Sequence, residues 1–247
     1  MTVLEFFNLH PQVAIACSGG VDSALLVHLA GQYAQKVTAY FVNAEFQPGF
    51  ELVDAQAVCA QAGVSLRVLD VSLLSNETVA NNPTNRCYHC KNLIFDAILA
   101  AAQADGYITL LDGSNLDDDP ADRPGMQALA EKSVLSPLRL CGLDKQAVRQ
   151  MAKERGLSVW DKPAYACLAT RLPQNQPITA EMLYKIDFSE EYLKTLGIFD
   201  HRVRVNQNRA TIQVPVSQME IISNHRAEIL EKLSPFFQQI TLDLGGR

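Results

Sequence analysis

Two short stretches hold residues whose types and spacing could do chemistry. In CSGGVDS, the residues Ser18, Gly19, Gly20, Asp22 and Ser23 follow an apolar run and precede a leucine-rich helical pattern. The two glycines permit backbone angles that side chains forbid. Successive amides can then point into one concavity at a helix N-terminus, a place that attracts anions. Ser18 and Ser23 add hydroxyl donors. No lysine follows a second glycine, so this is not a Walker loop. A carboxylate beside phosphates repels them unless a divalent cation bridges the two, so Asp22 points to Mg²⁺. The competing reading makes Asp22 a helix cap that complements the dipole.

In RCYHCK, the cysteines Cys87 and Cys90 have Cys-x-x-Cys spacing between Arg86 and Lys91. Nearby cations and a helix starting at about Cys90 favour thiolates. The spacing suits a redox pair, half a zinc site or part of an iron–sulfur site. Zinc would need two further ligands, yet no second Cys/His pair exists, and His89 points away if the segment is extended. Cys167, in YACLATR, either packs beside Leu168 or joins the chemistry. Cys17 and Cys59 sit in apolar patterns as small buried hydrophobes, and Cys141 reads as structural. Six cysteines in a cytosolic chain of this size do not suggest a disulfide framework.

The elements that must position these residues alternate. Strands are expected at 12–17, 36–43, 65–71 and 107–113, and helices at 22–34, 51–62, 91–104 and 144–155. Such alternation predicts an α/β fold, a parallel sheet with helices on both faces, whose ligands bind beyond the carboxyl ends of the strands. Near Pro163 the pattern changes. A helix at 179–196, a hairpin of HRVRV and ATIQVP, a helix at 217–233 and a strand in QQITLDL predict a small α+β domain. The expected domains are 1–165 and 166–247.

The 247 residues carry a formal net charge of -6, which weighs against a nucleic-acid partner. No apolar run approaches the ~20 residues of a membrane span. The N-terminus lacks a cationic start and a small-residue cleavage site, so the expected compartment is the cytoplasm.

The hexapeptide at 18–23 resembles the PP-loop of ATP pyrophosphatases, which cleave ATP between its α- and β-phosphates and adenylate a substrate oxygen. By that resemblance the loop holds pyrophosphate, while Asn43 and Asp112-Gly113 occupy places that contact adenosine. The motifs NPTNRCYHCK, LDGSNLDDDPADRPG, VLSPLR, GLSVWDKPAYACLATRLP, HRVRV and TLDLGG together resemble the LarE family, over essentially the whole chain. Its members insert sulfur during nickel-pincer nucleotide synthesis. One departure is Gln174-Asn175, where the family often reads Tyr-Gly.

The resemblance implies ATP and Mg²⁺ as cofactors and pyridinium-3,5-biscarboxylic acid mononucleotide as substrate. Cys167 matches the sulfur-supplying cysteine. By resemblance to relatives with the additional Cys-x-x-Cys, the expected group is a [4Fe-4S] cluster on Cys87, Cys90 and Cys167. Three cysteines leave one iron open for a sulfide. Lys91 matches a lysine near the active site, Arg202 and Arg204 match arginines suited to the substrate phosphate, and Asp119 and Glu190 match acidic positions at metal or substrate. Asp117 and Asp118 read as a solvated loop. The family's hexameric habit implies a homo-oligomer. The alternatives are an iron–sulfur tRNA thiolase and a nucleotide-gated iron–sulfur or redox sensor without turnover.

Overall fold

The computed structural model describes residues 1–118 and 124–247. Its contacts group the chain into two units, Met1–Leu73 with Asn85–Tyr165, and Leu74–Thr84 with Ala166–Arg247. The segment Leu74–Thr84 lies within the first expected domain but groups with the second unit.

In the first unit the elements run α1 (Val3–Leu9), β1 (Gln12–Ala16), α2 (Val21–Tyr33), β2 (Lys36–Asn43), α3 (Gly49–Ala62) and β3 (Ser65–Asp70). After α4 (Glu77–Ala80), which belongs to the other unit, come α5 (Arg86–Ala104), β4 (Leu110–Leu111), α6 (Pro124–Glu131), α7 (Pro137–Leu140) and α8 (Lys145–Glu154). The four strands pair in the order β3-β2-β1-β4, all parallel. The expected α/β architecture is therefore present.

Alternation along the strands sorts side chains between two apolar layers. Val13, Ile15, Ala39 and Phe41 join α2, α3 and α8 on one face. Ala14, Tyr40 and Val42 join α5 and α6 on the other. Each fully buried Leu or Phe contributes roughly 1.5–3 kcal/mol, so the strand ends rest on a firm base. The chain steps from β1 to β2 and β3, then returns to place β4 on the other side of β1. That reversal opens a crevice at the carboxyl ends of β1 and β4, where the loops at Ser18 and Asp112 lie.

Three expectations change. The fourth strand is only Leu110–Leu111, because these residues alone pair with β1, and Ile108 is exposed. Helix α5 begins at Arg86 rather than 91, so Cys87 and Cys90 occupy its first turns and share a face. The expected helix at 217–233 is broken at His225 into α10 (Met219–Asn224) and α11 (Arg226–Leu233).

The second unit contains α4, a 3₁₀ turn at Leu168–Arg171, α9 (Ala180–Thr195), and a sheet ordered β5-β6-β7. Strands β5 (Arg202–Asn206) and β6 (Arg209–Gln213) form the expected hairpin, and β7 (Gln239–Leu242) adds in parallel. Leu74–Thr84 joins this unit through backbone bonds. Asn175 donates to the Asn82 carbonyl at 2.8 Å, and Ile178 to the Ala80 carbonyl at 2.7 Å. Asn175, standing where the family often has glycine, adopts φ +63°. Asparagine tolerates that left-handed backbone better than most residues, so the Gln-Asn departure keeps a turn that glycine would make.

Asp187 of α9 has a buried Oδ1 with no partner among the described residues. Burial, then the Glu191 charge, pushes its carboxyl above the usual range. The folded state thus favours the protonated form, and that contribution is lost as pH rises through the raised value. Asp187→Asn is expected to raise Tm by a few degrees at neutral pH. The gain should vanish well below the ordinary carboxylate pKa of about 3.9, which thermal melts across pH would check.

Candidate active site around the Ser18–Ser23 loop

Beyond β1, Gly19 adopts φ +78°, and a Cβ there would fall 2.5 Å from the Glu51 carbonyl oxygen. The backbone of α3 therefore packs directly on the loop. Gly20 has φ −76°, open to any residue, and a Cβ there would meet only Ser18 Oγ at 3.6 Å. The expectation that both glycines supply forbidden angles thus holds for Gly19 alone. Ser18 donates its N–H to Ser23 Oγ at 3.2 Å, and Ser23 Oγ donates to the Gly20 carbonyl at 3.0 Å. No side chain caps α2, which leaves first-turn amides to attract an anion.

Asp22 is not the cap. Its Oδ1 accepts from Asn115 Nδ2 at 2.9 Å, and its Oδ2 pairs with the Lys145 ammonium. Lys145 opens α8, with its N–H donating to Asp117 Oδ2 at 2.9 Å. Asn115 is held by its own N–H, which donates to Asp118 Oδ2 at 2.9 Å. Asp117 is exposed and Asp118 half-buried, as a solvated loop implies, and both also tie the Asn115 turn and α8 in place. Asp112 is buried, accepting from Ser136 at 2.5 Å and from Ser114. A Cβ on Gly113 would fall 2.8 Å from the Ser23 nitrogen, so only glycine lets the two loops meet.

These groups border a cavity of about 520 Å³, whose polar side includes Ser18, Asp22, Asn115 and Lys145. Its apolar lining includes Tyr40, Phe41 and Val42 of β2 and Ile94, Phe95 and Ile98 of α5. Lys91 lines the same cavity, reaching it past Gly125, where a Cβ would fall 2.6 Å from Lys91 Cδ. Gln47 also faces it, its Oε1 buried without a partner among the described residues. Asn43 ends β2 exposed, with Nδ2 donating to Asp70 Oδ1 at 2.7 Å. A smaller cavity of about 220 Å³ lies against Gly19 and Gly20 and is bordered by Lys145, Arg149 and Lys162.

Cys87 is exposed and Cys90 half-buried. Arg86, largely buried, brings Nη2 within 3.9 Å of Cys87 Sγ. Because the segment is helical, His89 does not alternate away as an extended chain would turn it. It instead contacts Asn85 Nδ2 at 3.0 Å. Cys17 and Cys59 are buried, as their apolar surroundings suggest. Their thiols hydrogen-bond, which holds Cys17 below the usual thiol range and pushes Cys59 up.

In the second unit, Cys167 caps the 3₁₀ turn. Its carbonyl accepts from the Thr170 N–H at 3.0 Å and hydroxyl at 2.8 Å. Arg171 lies buried beneath this turn, donating to the Ala166 carbonyl at 2.9 Å and to both Glu190 oxygens at 2.8 and 3.0 Å. Glu190 also accepts from the Val203 N–H at 2.8 Å, so this carboxylate is an interior fastener. Arg202 and Arg204 share a strand face but differ in access. Arg202 is buried and donates to the His201 carbonyl, whereas exposed Arg204 donates to the Thr170 carbonyl at 3.1 Å. Asp119 lies outside the described residues.

No established family profile matches the chain. An uncharacterised Synechocystis protein is 38% identical over 98% of this chain and 92% of its own length. Pyridinium-3,5-bisthiocarboxylic acid mononucleotide synthase of Lactiplantibacillus plantarum is 30% identical over 95% of this chain and 86% of its own length. The chain belongs to the LarE family. A tRNA-specific 2-thiouridylase, MnmA, of Fusobacterium nucleatum is 28% identical over 63% of the chain and 48% of its own length. This LarE-family protein is accordingly a sulfurtransferase enzyme of the PP-loop type. No helix among the described residues is long and apolar enough to cross a membrane.

The donors at the loop suit a cation shared with phosphates. Asp22 is one carboxylate, and Mg²⁺ commonly takes one or two carboxylates plus phosphate and water oxygens. For a cluster, the donor chemistry is right but the LarE-family chain divides it. Cys87 and Cys90 form a two-thiol half-site on α5, while Cys167 lies in the other unit. Among the described residues no three Cys, His, Asp or Glu side chains gather as a metal site. Sequence reasoning missed Asn115, Lys145, Arg149, Lys162 and Gln47 as site residues. Asn115 and Lys162 lie within stretches that carry the resemblance, whereas the neighbourhoods of Gln47, Lys145 and Arg149 give no sign of the loop.

Proposed function

We propose that this protein uses ATP to convert the carboxylates of pyridinium-3,5-biscarboxylic acid mononucleotide into thiocarboxylates for nickel-pincer nucleotide synthesis. The observation that carries this reading is the uncapped start of α2, which shares one cavity with Asp22, Lys91 and an apolar wall. The amides, Ser18 and Ser23 would hold the β- and γ-phosphates, and Asp22 would share Mg²⁺ with them. The apolar wall would take the adenine beside Gly113, with Asn43 at the edge. Gln47 Oε1 could then accept from its amino group.

A carboxylate resists nucleophiles because its leaving group would be oxide. Attack of a substrate carboxylate oxygen on the α-phosphorus gives an acyl-adenylate and releases pyrophosphate. A sulfur nucleophile then displaces AMP at the carbonyl carbon. Lys91 would stabilise the developing oxyanion. Arg204, the exposed strand arginine, would bind the substrate phosphate, with Asp119 as a further contact, while buried Arg202 would support the strand that carries Arg204. Glu190 would act through Arg171 by holding the Cys167 turn. Cys87, Cys90 and Cys167 would hold a [4Fe-4S] cluster, which when bound supplies replaceable sulfide and spares the protein's own thiols. Homo-oligomerisation belongs to the same proposal.

The test is anaerobic reaction of reconstituted protein with ATP, Mg²⁺, sulfide, reductant and the biscarboxylate nucleotide. One pyrophosphate should accompany each thiocarboxylate, more than one thiocarboxylate should form per chain, and intact mass should be unchanged. Dehydroalanine at Cys167 in proportion to product would overturn the cluster. Asp22→Asn should fold and release no pyrophosphate. Normal release would leave Asp22 only its bonds to Asn115 and Lys145.

A further inference from the structure

We propose that Lys145 is the resident counterion of Asp22, exchanged for a divalent cation only when a phosphate chain enters the loop. The proposal rests on the nucleotide reading above and adds a coupling to its binding. Both Asp22 oxygens are engaged, Oδ1 by Asn115 at 2.9 Å and Oδ2 by the Lys145 ammonium. The two side chains are 24% and 33% exposed, so the pair is within reach of ligands yet partly shielded from water.

A divalent cation arriving alone finds little to bind. The carboxylate is already neutralised, and among the described residues no three Cys, His, Asp or Glu side chains are placed to hold a metal. It would have to expel an ammonium that has gained no new anion. Mg²⁺ in particular binds through few carboxylates and relies on phosphate oxygens. Those oxygens are also what Lys145 needs.

Lys145 borders both cavities, on the rim that carries Ser18 and Asp22. Around the smaller one, Arg149 is fastened by the Trp160 carbonyl at 2.6 Å and the Lys162 carbonyl at 2.7 Å. Lys162 is paired with Asp54. Lys145 is thus the cation whose release frees the carboxylate in the loop. A polyphosphate lying on Gly19 and Gly20 gives its ammonium a second anionic partner. Asp22 then trades one cation for another, and Asn115 keeps the carboxylate oriented through the exchange. No net charge is left uncompensated on the protein side. Metal and phosphate must then bind with positive and reciprocal coupling.

The probes are Mn²⁺, followed by its electron paramagnetic resonance signal, and inorganic pyrophosphate, followed by titration calorimetry, on the full chain. Lys145→Met is expected to bind Mn²⁺ alone about tenfold more tightly than wild type, and metal-free pyrophosphate about tenfold more weakly. Lys145→Gln is a second neutral variant should the methionine variant unfold. Lys145→Arg, which keeps the charge, should show no Mn²⁺ gain. Adding Asp22→Asn to Lys145→Met should remove the gain. Unchanged Mn²⁺ or pyrophosphate affinity in a folded neutral variant overturns the exchange. Wild-type protein that binds no pyrophosphate, with or without Mg²⁺, would instead overturn the nucleotide reading beneath it.

Discussion

A Gly19→Ala variant is expected to lose pyrophosphate release by about 10²-fold or more, because misplacing a reacting group by ~1 Å costs that much. Two penalties act at one position. The left-handed backbone at φ +78° disfavours a Cβ. The added carbon also falls 2.5 Å from the Glu51 carbonyl and 3.3 Å from the Ala55 nitrogen, both backbone atoms that cannot rotate aside. Either α3 retreats or the loop lifts, and the amides of the first α2 turn lose their aim. Gly20→Ala, by contrast, adopts an ordinary angle with an ordinary contact and should keep Tm and pyrophosphate affinity close to wild type. Steady-state pyrophosphate release for the two variants checks the contrast. Equal losses would mean that the loop's aim is set by something other than the seat of Gly19 on α3.

That contrast also marks how far local sequence reaches. The strand, the loop and α2 were readable because an apolar run, paired glycines and a leucine pattern are adjacent in the chain. Which glycine bears the unusual angle was not readable, since the answer lies with Glu51 and Ala55 of α3. The bonds of Asn115 and Lys145 to Asp22 are not readable for the same reason. The two residues reach Asp22 from 93 and 123 residues away, brought there by the return of the chain to β4 and by α8. The sequence pattern puts the start of α5 late because its apolar periodicity begins only beyond Lys91, and the cysteines ahead of it present no apolar face. The sequence overextends the fourth strand because the β-branched and aromatic residues at 107–109 suit a strand. Pairing with β1 ends at Leu110–Leu111. Glu190 and Arg202 were singled out by resemblance, yet their burial depends on α9 and β5 meeting beneath the Cys167 turn.

Arg171→Met should be the most destabilising single change in the second unit. The Arg171 and Glu190 side chains are each 1% exposed, and the guanidinium makes two bonds to that carboxylate. Removing one partner of a buried pair leaves an uncompensated charge, a loss of about 3–5 kcal/mol. In a domain of 60–100 residues each kcal/mol lowers Tm by about 4–8 °C, so the second unit should melt far below the wild-type temperature. The bond from Arg171 to the Ala166 carbonyl and the contact to Thr170 disappear as well. The turn that Cys167 caps then loses its floor. Adding Glu190→Gln to Arg171→Met removes the stranded charge while leaving an amide oxygen to accept from the Val203 N–H. The double variant should therefore recover much of the lost Tm. It should not recover thiocarboxylate formation, because the Ala166 and Thr170 contacts that fix the turn remain absent. Calorimetric melts and product assays of the single and double variants separate the two effects. A double variant that regains stability and full activity together would show that Arg171 serves the fold alone and does not position Cys167.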